Sequence, residues 1–337
     1  MTRDFIGFLD SVYDLDADEA TWLRGVARAA RRGFGFATNG AYALRYDASD
    51  PRAFAISSFE DDGMAPRLAE HFRVDVAGFY AARPQLVTAM FQRTASGSAR
   101  ATAGVGRTTV WRGLGSMGVV DVVGINGLNP HGRGVHVGVA TPALHQFSRA
   151  ETTVWRRLSA HLAAGERLRN RLGRLTAAQV VDSADAVLTT SGKVLHATGE
   201  SKLAQAREAL HAAVIGIGRA RGSLRRRDPD KSVEQWRALA DARWSLIEHF
   251  EKDGKHYLLA QRNDPSTAPI EVLSDRERQV VALVALGQTN KLVAYELGIA
   301  SSTVSVLLGR ACRKLGVRTR DGVIAAYARW ASPRPKP

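Results

Sequence analysis

The sequence predicts an α+β fold in which two α/β domains, at residues 1–172 and 175–262, precede an all-α domain of four helices at residues 271–331. Strand-like apolar runs between turn residues recur up to residue 262, whereas only helical spacing continues beyond residue 273. The segment between them, residues 263–270, is polar and proline-rich and is interpreted as a linker. A chain of 337 residues, 45% of them hydrophobic, is long enough to form more than one core.

The first domain is predicted to combine helices with antiparallel strands. Amphipathic spacing over Asp18–Arg32 predicts a helix that buries Trp22, Val26 and Ala30. The other predicted elements are strands at Ala41–Tyr46, Ala53–Phe59, Gly118–Ile125 and Gly134–Ala140, and a helical segment at Arg67–Phe72 that leads into the apolar stretch Val74–Tyr80. The last two strands are expected to be antiparallel neighbours because a turn-rich connection joins them.

A long helix is predicted to close this domain. Ser148 and Glu151 form a capping box, and apolar residues at helical spacing continue to Leu172. The helix either packs on its own sheet or serves as a dimer stalk. Antiparallel strands flanked by helices and followed by such a helix resemble a GAF-like sensory domain, and this resemblance implies a sensory or dimerisation role for residues 1–172.

The second domain is predicted to begin with a β-hairpin, Ala186–Thr189 and Val194–His196 around Ser191-Gly192. Helices at Lys202–Ile215 and Ser232–Ala240 and strands at Trp244–Phe250 and His256–Gln261 are expected to follow. This order resembles a PAS-like fold. The basic stretch Arg219–Arg227 between the helices is either a solvated loop or a source of nonspecific nucleic-acid contacts.

The last four helices have clear boundary residues. Ser274 and Glu277 form a capping box at the start of the first helix, while Gly287 and Gly298 end the first and second helices. The remaining boundary residues are Thr289, Ser301, Ser302, Gly316 and Thr319. Two helices joined by a tight glycine turn, the second entered through small hydroxyl residues, indicate a helix-turn-helix.

The third of these helices has two distinct faces. Helical-wheel positions place Val304, Leu308, Ala311 and Leu315 toward a core. The opposite face carries Ser302, Ser305, Val306, Gly309 and Arg313, with Arg310 and Lys314 at its flanks. Small residues edged by cations can approach a DNA major groove while the cations reach phosphates. The alternative is an ordinary amphipathic surface helix with solvated charges.

The segment resembles the DNA-binding module of LuxR-type (GerE- or NarL-type) bacterial transcription regulators. The residues that carry the resemblance are Leu273, Arg276, Glu277, Val280, Gly287, Asn290, Lys291, Ala294, Leu297, Thr303, Val304, Lys314, Leu315, Gly316, Val317 and Arg320. The resemblance implies that the third helix is the recognition helix and that the fourth serves homodimer contact. We expect double-stranded DNA to contact Lys291, Ser301, Ser302, Thr303, Ser305, Val306, Gly309, Arg310, Arg313 and Lys314.

Four positions depart from the family pattern. Ala300 stands where the family usually has serine, Ser305 where it has lysine or arginine, and Leu307 where it has histidine. Some members have a base-reading lysine at the position of Gly309. Because long polar side chains are lost, the preferred DNA sequence is expected to differ from the family norm or to be read partly through DNA shape.

Charge and cysteine content agree with an intracellular polyanion-binding protein. The chain has 47 Lys and Arg against 33 Asp and Glu, and residues 273–330 alone have nine against four. Such an excess favours polyanions through counterion release. The single Cys312 excludes an intramolecular disulfide and is expected at the edge of a core. Without a signal-like N-terminus or a long apolar run, the chain is predicted to be cytoplasmic and not membrane-bound.

No catalytic, metal or cofactor site is predicted. Gly113-Leu-Gly115-Ser-Met-Gly118 spells GxGxxG but precedes a strand, and Ser191–Val194 lacks the upstream glycine of a phosphate-binding loop. The nine histidines lack the spacing of a helical metal pair. The aromatic residues Phe79, Tyr80, Phe91, Trp111 and Trp155 are expected in the core, with a small-molecule pocket as the alternative.

The sequence therefore predicts a homodimeric DNA-binding transcriptional regulator that is not an enzyme. Its N-terminal regions are expected to sense a small molecule or a partner and to change the spacing of two recognition helices. The alternatives are a sigma-factor-like RNA polymerase subunit and a ligand-independent DNA-binding dimer. RNA polymerase is a further candidate partner of the regulator.

Overall fold

The computed structural model describes residues 3–91, 96–99, 108–129, 132–172, 177–237, 239–240, 244–252, 255–262 and 273–331. The predicted linker at residues 263–270 lies outside the described residues. The chain folds into two compact units, of which unit one comprises residues 1–174 and 220–234 and unit two comprises residues 175–219 and 235–337. The division into three domains expected from the sequence stays a prediction.

Unit one contains a five-stranded antiparallel sheet with helices before, between and after its strands. Its strand order is β2-β1-β5-β4-β3. The helices are α1 (Phe5–Val12), α2 (Glu19–Gly33), α3 (Pro66–His71), α4 (Ala77–Ala81), α5 (Pro84–Met90), α6 (Thr109–Ser116) and α7 (Arg149–Leu172). The strands are β1 (Ala41–Asp47), β2 (Ala55–Asp62), β3 (Ser96–Ser98), β4 (Asp121–Leu128) and β5 (Arg133–Thr141). A 3₁₀ turn covers Pro51–Ala53, and a π-helical turn at Phe72–Val76 joins α3 to α4.

The predicted helix at residues 18–32 is α2, and its capping and burial follow the sequence pattern. The Asp18 side chain accepts a hydrogen bond from the Thr21 backbone N–H, and Trp22, Val26 and Ala30 are buried. The capping box that starts α7 is also present, with Ser148 N–H donating to Glu151 at 3.0 Å. The sequence correctly predicted that β4 and β5 are antiparallel neighbours.

The two faces of the unit-one sheet have different partners. Arg45 of β1 forms an ion pair with Glu166 of α7, so this face of the sheet is covered by α7. Tyr42 and Leu44, which alternate with Arg45 along the strand, point to the other face and contact a group of aromatic side chains. The predicted long helix therefore packs on its own sheet, which was one of the two alternatives.

Two glycines allow large rings to lie flat on this second face. A Cβ atom at Gly138 would lie 2.6 Å from Tyr42, and one at Gly124 would lie 2.6 Å from the ring of His136. Gly124 and Gly138 are directly paired across β4 and β5. Any side chain at either position would therefore displace the Tyr42 or His136 ring.

Residues 220–234 belong to unit one, although the chain on both sides of them belongs to unit two. They contain the helix α10 (Leu224–Arg227), the end of α9 (Ala204–Arg221) and most of α11 (Pro229–Gln235). Arg221 donates to Asp10 at 3.0 Å and Arg225 donates to Asp4 at 2.6 Å. The basic stretch is therefore helical over most of its length, and two of its arginines hold it to the start of the chain.

Unit two contains a second five-stranded antiparallel sheet, in the order β7-β6-β10-β9-β8. Its strands are β6 (Ala186–Thr189), β7 (Val194–Ala197), β8 (Leu239–Ala240), β9 (Trp244–Lys252) and β10 (Lys255–Arg262). Its helices are α8 (Ala177–Asp182), most of α9, α12 (Asp275–Ala285), α13 (Asn290–Leu297), α14 (Ser301–Lys314) and α15 (Arg320–Ala331). The chain is thus a mixed α+β protein with two antiparallel sheets and a helical C-terminal module, and the predicted β6–β7 hairpin is confirmed.

The predicted helix at Ser232–Ala240 is wrong in its second half. Helix α11 ends at Gln235, and Leu239–Ala240 form β8, which pairs with β9. The backbone carbonyl of Trp236 accepts a hydrogen bond from the Tyr295 hydroxyl at 2.9 Å instead of continuing the helix. A tertiary contact therefore overrides the local helical pattern at this point.

Within the described ranges, no single helix is long and apolar enough to cross a membrane. Helices α13 and α14 reach that length and hydropathy only when taken together, and the chain bends by 106° between them.

Candidate nucleic-acid interface

The C-terminal module begins with the capping box that the sequence predicts. The Ser274 N–H donates to the Glu277 carboxylate at 2.8 Å, and the Glu277 N–H donates to the Ser274 hydroxyl at 3.4 Å. The Thr289 side chain accepts from the Leu292 N–H and so caps α13. These local bonds fix the starts of α12 and α13 where the sequence places them.

The turn between α13 and α14 has helix-turn-helix geometry. Gly298 ends α13 in the left-handed conformation, with φ 66°, which a residue with a Cβ atom enters only at a cost. The axes of α13 and α14 make an angle of 106°, within the range of helix-turn-helix units. The turn therefore positions α14 across α13, with one face free.

The inward face of α14 packs into two apolar clusters. Val304 and Ala311 are fully buried, and Leu308 is partly buried and touches both clusters, in agreement with the wheel. Leu307, which the wheel did not assign, is also buried. Cys312 packs at the edge of the second cluster, as predicted.

The outward face of α14, which we call the groove face, is exposed. Of the predicted DNA-contacting residues, Thr303 is partly buried and the others are exposed, namely Lys291, Ser301, Ser302, Ser305, Val306, Gly309, Arg310, Arg313 and Lys314. The apolar side chain of Val306 is 52% exposed. Neither Arg310 nor Arg313 forms an ion pair with any described residue, so both guanidinium groups are available to an anion.

Lys314 has an internal partner that its exposed wheel position does not reveal. Its ammonium lies 2.7 Å from the carboxylate of Glu277, whose side chain is only 3% exposed. Burial by itself would raise the pKa of Glu277, but hydrogen bonds from Lys314 and from Ser274 hold it below its ordinary value. Lys314 therefore joins α14 to the start of α12, besides any contact it makes with DNA.

This pair makes the stability of the module sensitive to acid. Because the folded pKa of Glu277 lies below the ordinary value of about 4.5, its contribution is complete above that value and is lost as the pH falls through the folded pKa. Glu277→Gln is expected to flatten the acid side of the stability curve, measured by urea unfolding from pH 3 to pH 7. The control is Glu208→Gln, at an exposed carboxylate of the same unit, and identical curves for both variants would contradict the prediction.

Helix α14 starts without a side-chain cap. Ala300 occupies the N-cap with extended backbone angles, φ −73° and ψ 148°, and makes no capping hydrogen bond. We expect Ala300→Ser to raise the free energy of unfolding by about 0.5–2 kcal/mol, because its hydroxyl would accept a first-turn N–H. Thermal unfolding of Ala300→Ser and Ala300→Val tests this, and equal stability of the two variants would contradict it.

A chain of polar contacts joins α15 to the start of α13 and to the groove face. Arg320 donates to the Asn290 side-chain oxygen at 2.8 Å and also to the backbone carbonyl of Gln288. The Asn290 amide nitrogen then donates to the Ser305 hydroxyl at 3.3 Å. Asn290 and Arg320 carry part of the sequence resemblance, but their contact depends on the fold and no spacing rule predicts it.

Helix α13 is covered on more sides than a helix-turn-helix alone provides. Every residue from 292 to 297 is buried, although a surface helix normally exposes one face. Leu239, 2% exposed, belongs to the same apolar cluster as Val293 and Leu297, and Tyr295 donates its hydrogen bond to Trp236. The edge of the second sheet therefore completes the core of the helical module.

Unit one contains a cavity of about 30 Å³ between its sheet on one side and the π-helical turn and α4–α6 on the other. Of the five aromatic residues weighed from sequence, Phe79, Tyr80, Phe91 and Trp111 line this cavity. Trp155 lies elsewhere in the core, with its ring 4.5 Å from that of Phe34. All five are buried, as expected for core residues, and four of them also line this cavity.

Three buried polar side chains form a relay beside this cavity. The Asn126 amide nitrogen donates to the Met90 carbonyl, so its oxygen faces His136 Nδ1, at 2.7 Å. His136 Nδ1 therefore carries the hydrogen, and Nε2 is left to accept from the Tyr42 hydroxyl at 3.2 Å. Burial lowers the pKa of His136 to about 4, so the ring is neutral near pH 7.

No three His, Cys, Asp or Glu side chains lie close enough to hold a metal ion in the part of the chain that the structure describes. The glycines of the GxGxxG pattern lie on α6 and just after it, before β4. They do not follow a strand or open a helix, so the arrangement differs from a dinucleotide-binding turn.

The helix-turn-helix geometry agrees with a family match. Residues 271–326 match the bacterial regulatory proteins of the luxR family. The C-terminal module is thus a luxR-family helix-turn-helix domain, which is a DNA-binding class of domain. The match ends before the last turn of α15 and does not reach Leu239.

Similar proteins share this module. The chain is 32% identical over 97 residues to a nitrate/nitrite response regulator protein homolog of Haemophilus influenzae, covering 29% of this chain and 44% of that protein. It is 41% identical over 71 residues to the HTH-type transcriptional activator RamA of Corynebacterium glutamicum, covering 20% of this chain and 25% of that protein. The chain therefore spans less than half the length of these relatives.

A solved structure of Escherichia coli SdiA aligns with 96% of this chain and 97% of its own. The TM-score is 0.33 and the sequence identity is 10%.

Proposed function

We propose that the whole chain is a transcriptional regulator that places α14 in the major groove of double-stranded DNA. The observation that carries this proposal is the exposed groove face, which has small residues along most of its length, Arg313 near its C-terminal end and Arg310 at one flank. Neither arginine has an ion-pair partner among the described residues. Small side chains allow close approach to the bases, and arginine side chains reach the phosphates. The exposed Val306 suits contact with a thymine methyl group.

The regulator is proposed to be a cytoplasmic homodimer. Two recognition helices that face successive major grooves bind a two-part site more tightly than one helix does. The C-terminal helix α15 is one candidate for the dimer contact, and unit one is another. The sigma-factor-like alternative requires a helical polymerase-binding region upstream, whereas an antiparallel sheet forms the centre of unit one.

Unit one is proposed to be a GAF-like sensory region, and residues 175–262 a PAS-like one. The aromatic cavity and its buried relay support sensing of a small, mainly apolar molecule with one hydrogen-bonding group. A ligand larger than the present cavity, about 30 Å³, requires the π-helical turn and α4–α6 to move outward. A regulator that binds DNA without any ligand is the alternative within the same class.

Binding of the full-length protein to duplex DNA tests the proposal. Fluorescence anisotropy with random-sequence duplex should show binding that weakens steeply with salt, and selection from a random library should enrich a two-part sequence. Absence of binding even at low ionic strength would overturn the proposal. Repeating the selection with cell extract as a ligand source tests the sensory role.

A further inference from the structure

The first residue of α13, Asn290, has an amide group whose orientation is fixed by its neighbours. A guanidinium group can only donate hydrogen bonds, so the atom of Asn290 that faces Arg320 must be the oxygen. The same guanidinium is held by the Gln288 carbonyl, which keeps it in place. The NH₂ end of Asn290 must therefore face away from Arg320, toward α14.

The hydroxyl of Ser305 takes only part of the donor capacity of this NH₂ group. Ser305 donates its own hydrogen to the backbone carbonyl of Ser301 at 3.1 Å, so it accepts from Asn290. An amide NH₂ has two hydrogens, and Ser305 is its one acceptor among the described residues. The second hydrogen of Asn290 therefore remains available at the edge of the groove face.

These contacts also restrict what Ser305 can do. Its single hydrogen is used within α14, so it has no donor left for a base. A long cationic side chain at this position would reach past Asn290, but serine does not. The neighbouring amide is thus a donor directly beside the place where such a side chain would read DNA.

We propose that Asn290 is a specificity-determining residue that donates a hydrogen bond to an acceptor on a base edge, and that Arg320 is its positioning residue. This inference rests on the proposed DNA-binding function. Asparagine usually reads adenine with its oxygen and nitrogen together, but here Arg320 occupies the oxygen. The free N–H of Asn290 can therefore donate to any base edge that offers an acceptor, such as guanine N7 or O6, adenine N7 or thymine O4, and it disfavours the N4 amino group of cytosine.

The test uses two duplexes, one selected by the full-length wild-type protein and one of random sequence. The affinity of the wild-type protein and of the Asn290→Ala and Asn290→Asp variants is measured for each duplex. Both variants remove the donor, and the aspartate keeps a partner for Arg320 and so guards against misfolding. We expect the ratio of the two affinities to fall about 3- to 30-fold in both variants. When the selection from a random duplex library is repeated with the Asn290→Ala variant, the selected sequence should lack the base preference at one position. The matched control is Asn170→Ala in unit one, because Asn170 also accepts from an arginine, at 3.3 Å.

Arg320 is tested through the same ratio, because a purely structural role would not change it. Arg320→Met should lower the ratio as Asn290→Ala does, and Arg320→Lys should restore part of it. An unchanged ratio in the Asn290 variants overturns the inference. An equal loss on both duplexes also overturns it, because that result indicates a phosphate contact. If the wild-type protein binds neither duplex, the proposed function itself has failed.

Discussion

Leu239→Ala is expected to lower the free energy of unfolding of unit two by about 2–5 kcal/mol. Leu239 is 2% exposed and lies in the cluster formed by α12, α13 and α14, although it is part of a strand in the preceding sheet. Removal of its side chain leaves a cavity against Val293 and Leu297 that rigid helices cannot fill. The expected loss is therefore that of a residue in the middle of a core.

Hydrogen exchange and urea unfolding of the full-length protein measure this effect. The amides of α13 should exchange faster in Leu239→Ala, because the helix loses part of its cover. Leu195→Ala is the matched control, because Leu195 lies in the same sheet but is 51% exposed, and a change within about 0.5 kcal/mol is expected there. Equal effects of the two substitutions would show that the strand does not support the helical module.

The double substitution of Arg310 and Arg313 by Ala is expected to weaken DNA binding to all sequences by a similar factor. Both guanidinium groups lack ion-pair partners among the described residues, and they lie on the groove face (Arg313) and at its flank (Arg310). Each phosphate contact contributes about 0.9 to the slope of log affinity against log salt, so loss of both should reduce the slope by about 1.8. Fold stability should change little because both side chains are exposed.

Anisotropy titrations at several salt concentrations check this expectation with selected and random duplexes. Arg73→Ala with Arg112→Ala is the matched control, since both arginines are exposed in unit one and the net charge change is the same. An unchanged salt slope in the Arg310 and Arg313 variant would show that α14 does not face the phosphates. A loss of slope in both double variants would indicate a general charge effect.

The sequence predicted the helical module well because its signals are local. Ser274, Thr289 and Gly298 act on neighbouring backbone atoms, so their effect does not depend on the rest of the fold. The paired strands β4 and β5 and the β6–β7 hairpin were predicted for the same reason, since short connections bring adjacent strands together.

The contacts that the sequence did not reveal join distant residues. Lys314 pairs with Glu277, 37 positions away, and Tyr295 bonds to Trp236, 59 positions away. The error at Ser232–Ala240 has this origin, because apolar residues at helical spacing contact α13 instead of continuing α11. Likewise, the relay of His136, Tyr42 and Asn126 exists only once β1, β4 and β5 are paired.

Because residues 220–234 belong to unit one, they limit where this chain can be divided or recombined with another protein. A protein cut after residue 174 would keep Asp4 and Asp10 but lose the guanidinium groups of Arg225 and Arg221. Exchange of residues 1–174 for a segment of another protein would likewise leave Arg221 and Arg225 without Asp10 and Asp4. A functional chimera must instead carry residues 220–234 together with residues 1–174. This requires crossover points after residues 219 and 234 in addition to the one after residue 174.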